Sequence, residues 1–544
     1  MLILPVTRVV LAVFAALALG APAARAAEFP IELPGDVAAS SVRADPDTWI
    51  VGAKPGRAAA QLARHYRAHS LGLGGYVLSK SRARNFADAL RSRHLLAYAQ
   101  ANVYRKQAQA VPDDPLSGAP NDWRKKVVDP AIAPPPVSDQ SPMIALVDAA
   151  ADVAHPEWTG DRFFSTLPGH TVTNSHGTAT ASVAVAPLNG IGILGVWPSA
   201  RAVNVPLDTV PNTDGEITCA ASGDGIEEAV KTGAAVINMS YGSANRCIPE
   251  WIQIYFAVAK GVIPVAAAGN EFESGNPLEF PASLPHVVTV AATTPDDKSA
   301  SFSNANAAVD LSAPGVGILA AVPPALDTDG VQDGYQALNG TSFSAPMVSA
   351  AMAWVRAARP ELPVSSVIQA VRLGARDVER PGWDALTGFG VLNIGKSLSL
   401  TPQQLPPPDP AEPNDNLVWV DGTAFGKKAT AIWSGGSAAA LVGSLDKQED
   451  PVDVYRIAVP AHHHAKISAV PRFGDIQLEV FKASAKSIND THHRVAFAHR
   501  KGSKRIEHAT VHNNGSAAHS YYVMVRPQGR SVYQDRRYTL RVGR

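Results

Sequence analysis

Four polar residues stand at places suited to acyl transfer from an amide: Asp148, His176, Asn270 and Ser342. That chemistry needs a nucleophile, a base to take its proton, an acid that fixes the tautomer of the base, and a donor for the developing oxyanion. Ser342 sits in Gly340-Thr341-Ser342-Phe343-Ser344-Ala345-Pro346, where the glycine permits a tight turn into a helix. His176 opens His176-Gly177-Thr178 ahead of a helical stretch of small residues. Asp148 directly follows the apolar run Ala145-Leu146-Val147, which places a carboxylate at the carboxyl end of a strand. Asn270 closes Ala266-Ala267-Ala268-Gly269-Asn270 behind another apolar run, so its amide is the candidate oxyanion donor.

The elements that must position these groups follow from the periodicity. Apolar runs at 143–147, 202–207, 235–239, 262–266 and 287–291 read as strands, with helical stretches such as 225–232 and 251–260 between them. This alternation predicts an α/β fold, a doubly wound and mostly parallel sheet with its site at the carboxyl ends of the strands. Before it, an apolar stretch at 47–51 and helical stretches at 58–69 and 85–91 predict a small α+β unit over residues 27–111. Proline-rich sequence from 112 to 136 marks the boundary, and the central domain is expected over 112–400. Residues 401–430 are Pro-rich, acidic and Asn-containing, the composition of a linker. From 431 to 544 the runs 453–459, 476–480 and 521–525 alternate with period two, which predicts a β-sandwich.

Taken in order, the Asp, His, Asn and Ser blocks resemble the subtilase family of serine peptidases. The spacing suits that family, with 28 residues from Asp148 to His176 and 166 from His176 to Ser342. Four further blocks match its pattern: 189–196, Ile237-Asn238-Met239-Ser240, Phe280-Pro281-Ala282-Ser283, and 309–315. The resemblance covers roughly residues 115–399 and implies a serine endopeptidase with a subtilisin-like fold. It implies that residues 27–111 are a propeptide, acting as foldase and inhibitor, and that the C-terminal part is similar to the pre-peptidase C-terminal sandwich of bacterial secreted peptidases. By family position, Ser240-Tyr241-Gly242 and Ala268-Gly269 would pair as backbone edges with an extended peptide, and Glu279 would sit at the base of the primary specificity pocket. A buried carboxylate there favours Lys or Arg at the cleaved bond; a Glu279 turned to solvent beside Asn276 is the alternative.

Two departures from the family pattern stand out. After Asp148 comes Ala149-Ala150-Ala151, without the usual hydroxyl and glycine, and His176-Gly177-Thr178 is followed by Ala179-Thr180-Ala181-Ser182. A less well oriented Asp148 is therefore expected, with an effect on rate. Calcium is common in the family, and Glu157 stands where one ligand would, but the loop at 188–191 looks one residue short for a cage of oxygens, so metal is left unassigned and no cofactor is required. His462-His463-His464 and His492-His493 read as solvated loop residues.

The remaining bounds are compositional. Lys plus Arg and Asp plus Glu both number 48 in 544 residues, so charge points neither to nucleic acid nor to a membrane surface. Arg8, the apolar run 9–20 and Ala24-Arg25-Ala26 have the form of a signal peptide over 1–26, too short to span a bilayer as an anchor. Export, extracellular or periplasmic, is the expectation, with a soluble monomer as the mature form. In an oxidising compartment the two cysteines, Cys219 and Cys247, are candidates for one disulfide. The expected partners are protein or peptide substrates and the chain's own propeptide. One rival is a catalytically inactive peptide-binding protein that keeps only the groove. An α/β-hydrolase esterase is disfavoured, because it orders its triad Ser, Asp, His.

Overall fold

The computed structural model describes residues 31, 33–34, 44–54, 56–72, 74–103, 114–118, 123–158, 160–207, 217–409, 411–424, 426–448, 450–502, 504–529 and 536–544. The signal-peptide reading falls on residues outside this set. The contacts divide the chain into two units, Met1–Val111 and Pro112–Arg544. In the first, the strands Ala44–Ala53, His69–Gly72, Gly75–Ser79 and Leu96–Val103 form an antiparallel sheet, with the helices Arg57–His65 and Lys80–Arg91 between strands. Its core gathers Trp49, Val51, Phe86 and Leu90, the last three wholly buried. The helices start earlier than the periodicity implies, and this is a small α+β unit.

The second unit is built on seven parallel strands: β1 Ile144–Asp148, β2 Phe163–Ser165, β3 Ala202–Pro206, β4 Val236–Met239, β5 Ile263–Ala267, β6 Val288–Thr293 and β7 Val309–Pro314. Their order across the sheet is β7-β6-β5-β4-β1-β3-β2. Helices cover the sheet, among them α1 His176–Val185, α2 Cys219–Lys231, α3 Ile248–Ala259 and α4 Thr341–Ala358. Strands β1 and β3 to β7 are buried at every residue, which is why they read as unbroken apolar runs and not as alternating ones. Strand β1 lies between β3 and β4, so the chain first builds to one side of it and then to the other. The crevice at its carboxyl end is the switch point where such folds place ligands, and Asp148 is its last residue.

Residues 439–543 form two antiparallel four-stranded sheets. One runs Ala439–Leu445, Arg536–Gly543, His463–Pro471, Glu507–Asn513; the other runs Asp453–Val459, His519–Gln528, Asp475–Lys482, Arg494–Ala498. Strand Glu507–Asn513 alternates strictly between buried and exposed, and Tyr455, Ile467, Leu478, Val523 and Leu540 meet in the core. Residues 401–430 are not a free linker. They bury Leu417 and Val420 in the short helix Leu417–Val420, and Trp419 stacks on Tyr255 of α3 with ring centroids 4.6 Å apart. His286 Nε2 faces two carboxyl groups from this segment, donating to Asp415 at 2.7 Å with Glu412 at 3.3 Å. These contacts fasten the sandwich to the central domain, and the two form one unit.

Candidate active site

Asp148 is 2% exposed and faces the first residue of α1. Its Oδ1 accepts the backbone N–H of Ala149 at 2.7 Å and lies 2.6 Å from Nδ1 of His176. A carboxylate can only accept, so the proton belongs on Nδ1 and Nε2 is left as a base. Burial alone would lower the pKa of His176, but the charge of Asp148 and its hydrogen bond outweigh that, and the imidazole is held above its ordinary value. The other carboxylate oxygen, Oδ2, accepts the hydroxyl of Thr180 at 3.0 Å. Asp148 is therefore bonded on both oxygens, which corrects the expectation of a poorly oriented carboxylate. Thr180 carries no signal in the sequence beyond its spacing of four from His176, one helical turn on the same face.

The turn after β1 is held as firmly. Asn204 of β3 accepts from the Ala151 N–H at 3.0 Å and donates to the Ala149 carbonyl at 2.9 Å, and Thr178 accepts from the Asp152 N–H at 2.8 Å. Gly177 is required here, since a Cβ on it would lie 2.0 Å from the Ala149 oxygen. The absence of a side chain lets α1 rest directly on the turn that carries Asp148.

Ser342 is the second residue of α4, an 18-residue helix entered from Gly340 at φ 151°. Its N-terminal N–H groups and dipole favour negative charge beside this serine. Pro346 has no N–H to give the Ser342 carbonyl four residues earlier, and the hydroxyl of Ser240 donates to that carbonyl instead at 2.8 Å. In return, Ser342 Oγ donates to the Ser240 carbonyl at 3.1 Å. Phe343 packs against the His176 ring with centroids 5.8 Å apart, which joins the starts of α1 and α4. Asn270 accepts both the N–H and the hydroxyl of Thr341 on its Oδ1, at 2.9 and 3.0 Å. That fixes the amide so that Nδ2 faces Gly340, 3.6 Å from where a Cβ would stand.

The proposed substrate edges behave differently from each other. Tyr241 is half-buried and Gly242 exposed, beside a cleft of about 580 Å³ lined by Cys219, Tyr241, Gly242, Arg246, Glu250 and Phe280. Cys219 and Cys247 are joined as a disulfide with Cα atoms 5.5 Å apart. Ala268 and Gly269 do not offer a hydrogen-bonding edge with their N–H groups. The Ala268 N–H goes to Val290 and the Gly269 N–H to the Thr341 hydroxyl, because the sheet and the start of α4 reach them first.

Glu279 stands between the two edges. It is 6% exposed, and its Oε2 and Cγ lie where Cβ atoms on Gly242 and Gly269 would come within 2.9 and 2.6 Å. The solvent-facing alternative is not what the structure places there. The antiparallel bridge between Ser243 and Phe280 fixes this arrangement. Burial, and then the like charge of Glu271, push the Glu279 carboxyl up to about 7.

The loop beside Glu157 is tied down by hydrogen bonds. Glu157 Oε2 accepts the Tyr335 hydroxyl at 2.6 Å and the Ile193 N–H at 3.4 Å, and burial pushes its pKa up to about 7. The Asn189 side chain turns its amide nitrogen to the Glu157 carbonyl at 2.7 Å. Donors occupy Oε2 of this carboxylate, while its Oε1 is buried with no hydrogen-bond partner, so a metal here stays unassigned. Among the described residues, ligand atoms gather within 4.8 Å in two other places: His286 with Glu412 and Asp415, and Asp409 with Glu412, Asp450 and Asp453.

Comparison with known proteins agrees with this geometry. Residues 146–390 match the model of the subtilase family. The chain is 32% identical over 256 residues to subtilisin DY of Bacillus licheniformis, covering 46% of this chain and 88% of that protein. It is 34% identical over 223 residues to subtilisin E of Bacillus subtilis (strain 168), covering 40% of this chain and 56% of that protein. The solved psychrophilic subtilisin-like protease Apa1 of the Antarctic psychrotroph Pseudoalteromonas sp. AS-11 aligns over 49% of this chain and 95% of its own. That alignment has 19% identity and a TM-score of 0.44. With 88% of a relative covered at 32% identity, the chain belongs to the subtilase family of serine endopeptidases.

Proposed function

We propose that this chain is a secreted endopeptidase, made as a self-processing zymogen, that cuts peptide bonds through an acyl-enzyme on Ser342. The observation that carries the reading is the 2.6 Å bond from His176 Nδ1 to a buried Asp148, on a helix packed against the one whose second residue is Ser342. In this reading the seryl proton leaves the Ser240 carbonyl for His176 Nε2 as Oγ attacks the scissile carbonyl. Asp148 holds the imidazolium that forms. The oxyanion is met by Asn270 Nδ2 and by the Ser342 N–H in the first turn of α4. His176 then protonates the leaving amine, and water, deprotonated by the same base, releases the acyl group.

The buried Glu279 between Gly242 and Gly269 gives the site a preference for Lys or Arg before the cleaved bond, since a cation leaving water needs a partner charge. Residues 27–111 act as the propeptide that inhibits the enzyme until it is cut. Among the described residues no helix is long and apolar enough to cross a membrane.

Mass spectrometry of the secreted protein tests the reading, wild type beside Ser342→Ala from the same host. Loss of about the first 110 residues by the wild type alone establishes self-processing. Retention by both moves the inactive peptide-binding reading ahead.

A further inference from the structure

We infer that Thr180 is a positioning residue for catalysis, holding the Asp148 carboxylate in register with His176 from one turn along the same helix that presents the histidine. The inference rests on the catalytic reading above and concerns a residue that reading does not use.

Asp148 is 2% exposed, and a buried carboxylate needs donors on both oxygens to stay ionised and in one orientation. Oδ1 has the Ala149 N–H and His176. Rotation about the Cβ–Cγ bond would exchange the two oxygens or tilt the plane away from Nδ1, and the residue after Asp148, an alanine, has no hydroxyl to resist it. The Thr180 hydroxyl meets Oδ2 at 3.0 Å and resists that rotation.

The surroundings of Thr180 separate this role from ordinary helix chemistry. Residues 177–185 of α1 are all buried, and Thr180 is flanked by Ala179 and Ala181. A hydroxyl in that setting costs stability unless it finds an acceptor. It has two, Asp148 Oδ2 at 3.0 Å and the Gly177 carbonyl at 3.3 Å, and only one proton to give. A helical threonine commonly bonds back to the preceding turn. Here the nearer acceptor is the ionised one, and a hydrogen bond to a charged group is about twice as strong as a neutral one. Gly177 makes the reach possible, because the contact of α1 with the Ala149 carbonyl closes the gap between helix and turn. Four residues apart on α1, His176 and Thr180 grip the two oxygens of one carboxylate, so the base and its partner move as one body.

The test compares full-length wild type, Thr180→Val, Thr180→Ser and Ser342→Ala on one peptide substrate. Valine keeps the shape of threonine and removes the hydroxyl; serine keeps the hydroxyl. Expected is a kcat about 10- to 100-fold lower in Thr180→Val with KM within about twofold, and Thr180→Ser within about fivefold of wild type. Unchanged kcat in Thr180→Val overturns the inference, and so does an equal loss in both variants, which marks a packing role. Activity in the wild type that is absent from Ser342→Ala shows that the catalytic reading holds while Thr180 is judged.

A second readout needs no turnover. The His176 Nδ1–H proton, 2.6 Å from a carboxylate oxygen by its nitrogen, should give a far-downfield proton resonance. Thr180→Val should shift or broaden it, and Thr180→Ser should leave it in place. If wild type and Ser342→Ala prove equally inactive, the catalytic reading fails, and an unmoved resonance in Thr180→Val separately overturns the positioning role.

Discussion

Replacing Glu279 by glutamine should convert a preference for basic side chains into one for neutral side chains, and the size of the change follows from the pocket. The carboxylate is 6% exposed, wedged between the Gly242 and Gly269 positions, so an Arg or Lys head group entering the pocket meets it out of bulk water. Removing one partner of such a pair costs on the order of 2–3 kcal/mol, or about 30- to 150-fold in kcat/KM for an Arg substrate. A Phe substrate makes no such pair and should change by less than about threefold. The raised pKa adds an independent handle. Burial, then the charge of Glu271, hold Glu279 at about 7, so the free enzyme has a neutral pocket at pH 5 and a charged one at pH 8. Because kcat/KM reports the free enzyme and His176 serves both substrates, the ratio of kcat/KM for Arg over Phe cancels the titration of the base. That ratio should climb about tenfold or more between pH 6 and pH 8, with a midpoint near 7. In Glu279→Gln the ratio should be low and flat. The assay is a pair of peptides identical except for the residue before the cut. A Phe preference in the wild type, or a pH-independent ratio, would refute the reasoning.

Two further outcomes concern stability. The Cys219–Cys247 crosslink spans 28 residues and borders the cleft beside Tyr241 and Gly242, so a Cys219→Ser/Cys247→Ser variant should lose about 3–4 kcal/mol and raise KM more than it lowers kcat. Equal melting temperatures and kinetics for the two proteins would rule this out. Where residues 401–430 meet the sandwich, burial first and neighbouring carboxylates next push Asp409 up to about 6 and hold Glu412, Asp450 and Asp453 well above their ordinary range. Folding therefore takes up protons here, and the stabilisation is full below about pH 4 and is lost as the pH rises through 6. In chelator-treated buffer the melting temperature of the full chain should fall from about pH 5 to pH 8, and less steeply in Asp453→Asn; parallel slopes in the two proteins would contradict it.

What the sequence revealed and what it hid follow from the range of the forces involved. Strands β1 and β3 to β7 are buried on both faces, so each is a continuous apolar run that is legible without any neighbour, and Asp148 at the end of one such run is legible as a site residue. The turn at Gly340 and the helix after it are local as well. Residues 401–430 were legible only as composition, because what orders them is distant: the Tyr255 ring stacked on Trp419 and the His286 ring between Glu412 and Asp415. Ala268 and Gly269 lie on a readable strand edge, yet their N–H groups are claimed by Val290 and Thr341, partners that appear only once the sheet is assembled.

The orientation of Asp148 shows the same limit most sharply. Reading along the chain, Ala149 removes a hydroxyl from the carboxylate's neighbour, and nothing local replaces it. The replacement, Thr180, comes 32 residues after Asp148 on a different element, and two facts bring it there: no side chain at Gly177, and a turn held in place by Asn204. A pattern that looks weakened when read residue by residue is whole in three dimensions, because the hydrogen bond that fixes a carboxylate depends on where a donor lies and not on which residue carries it.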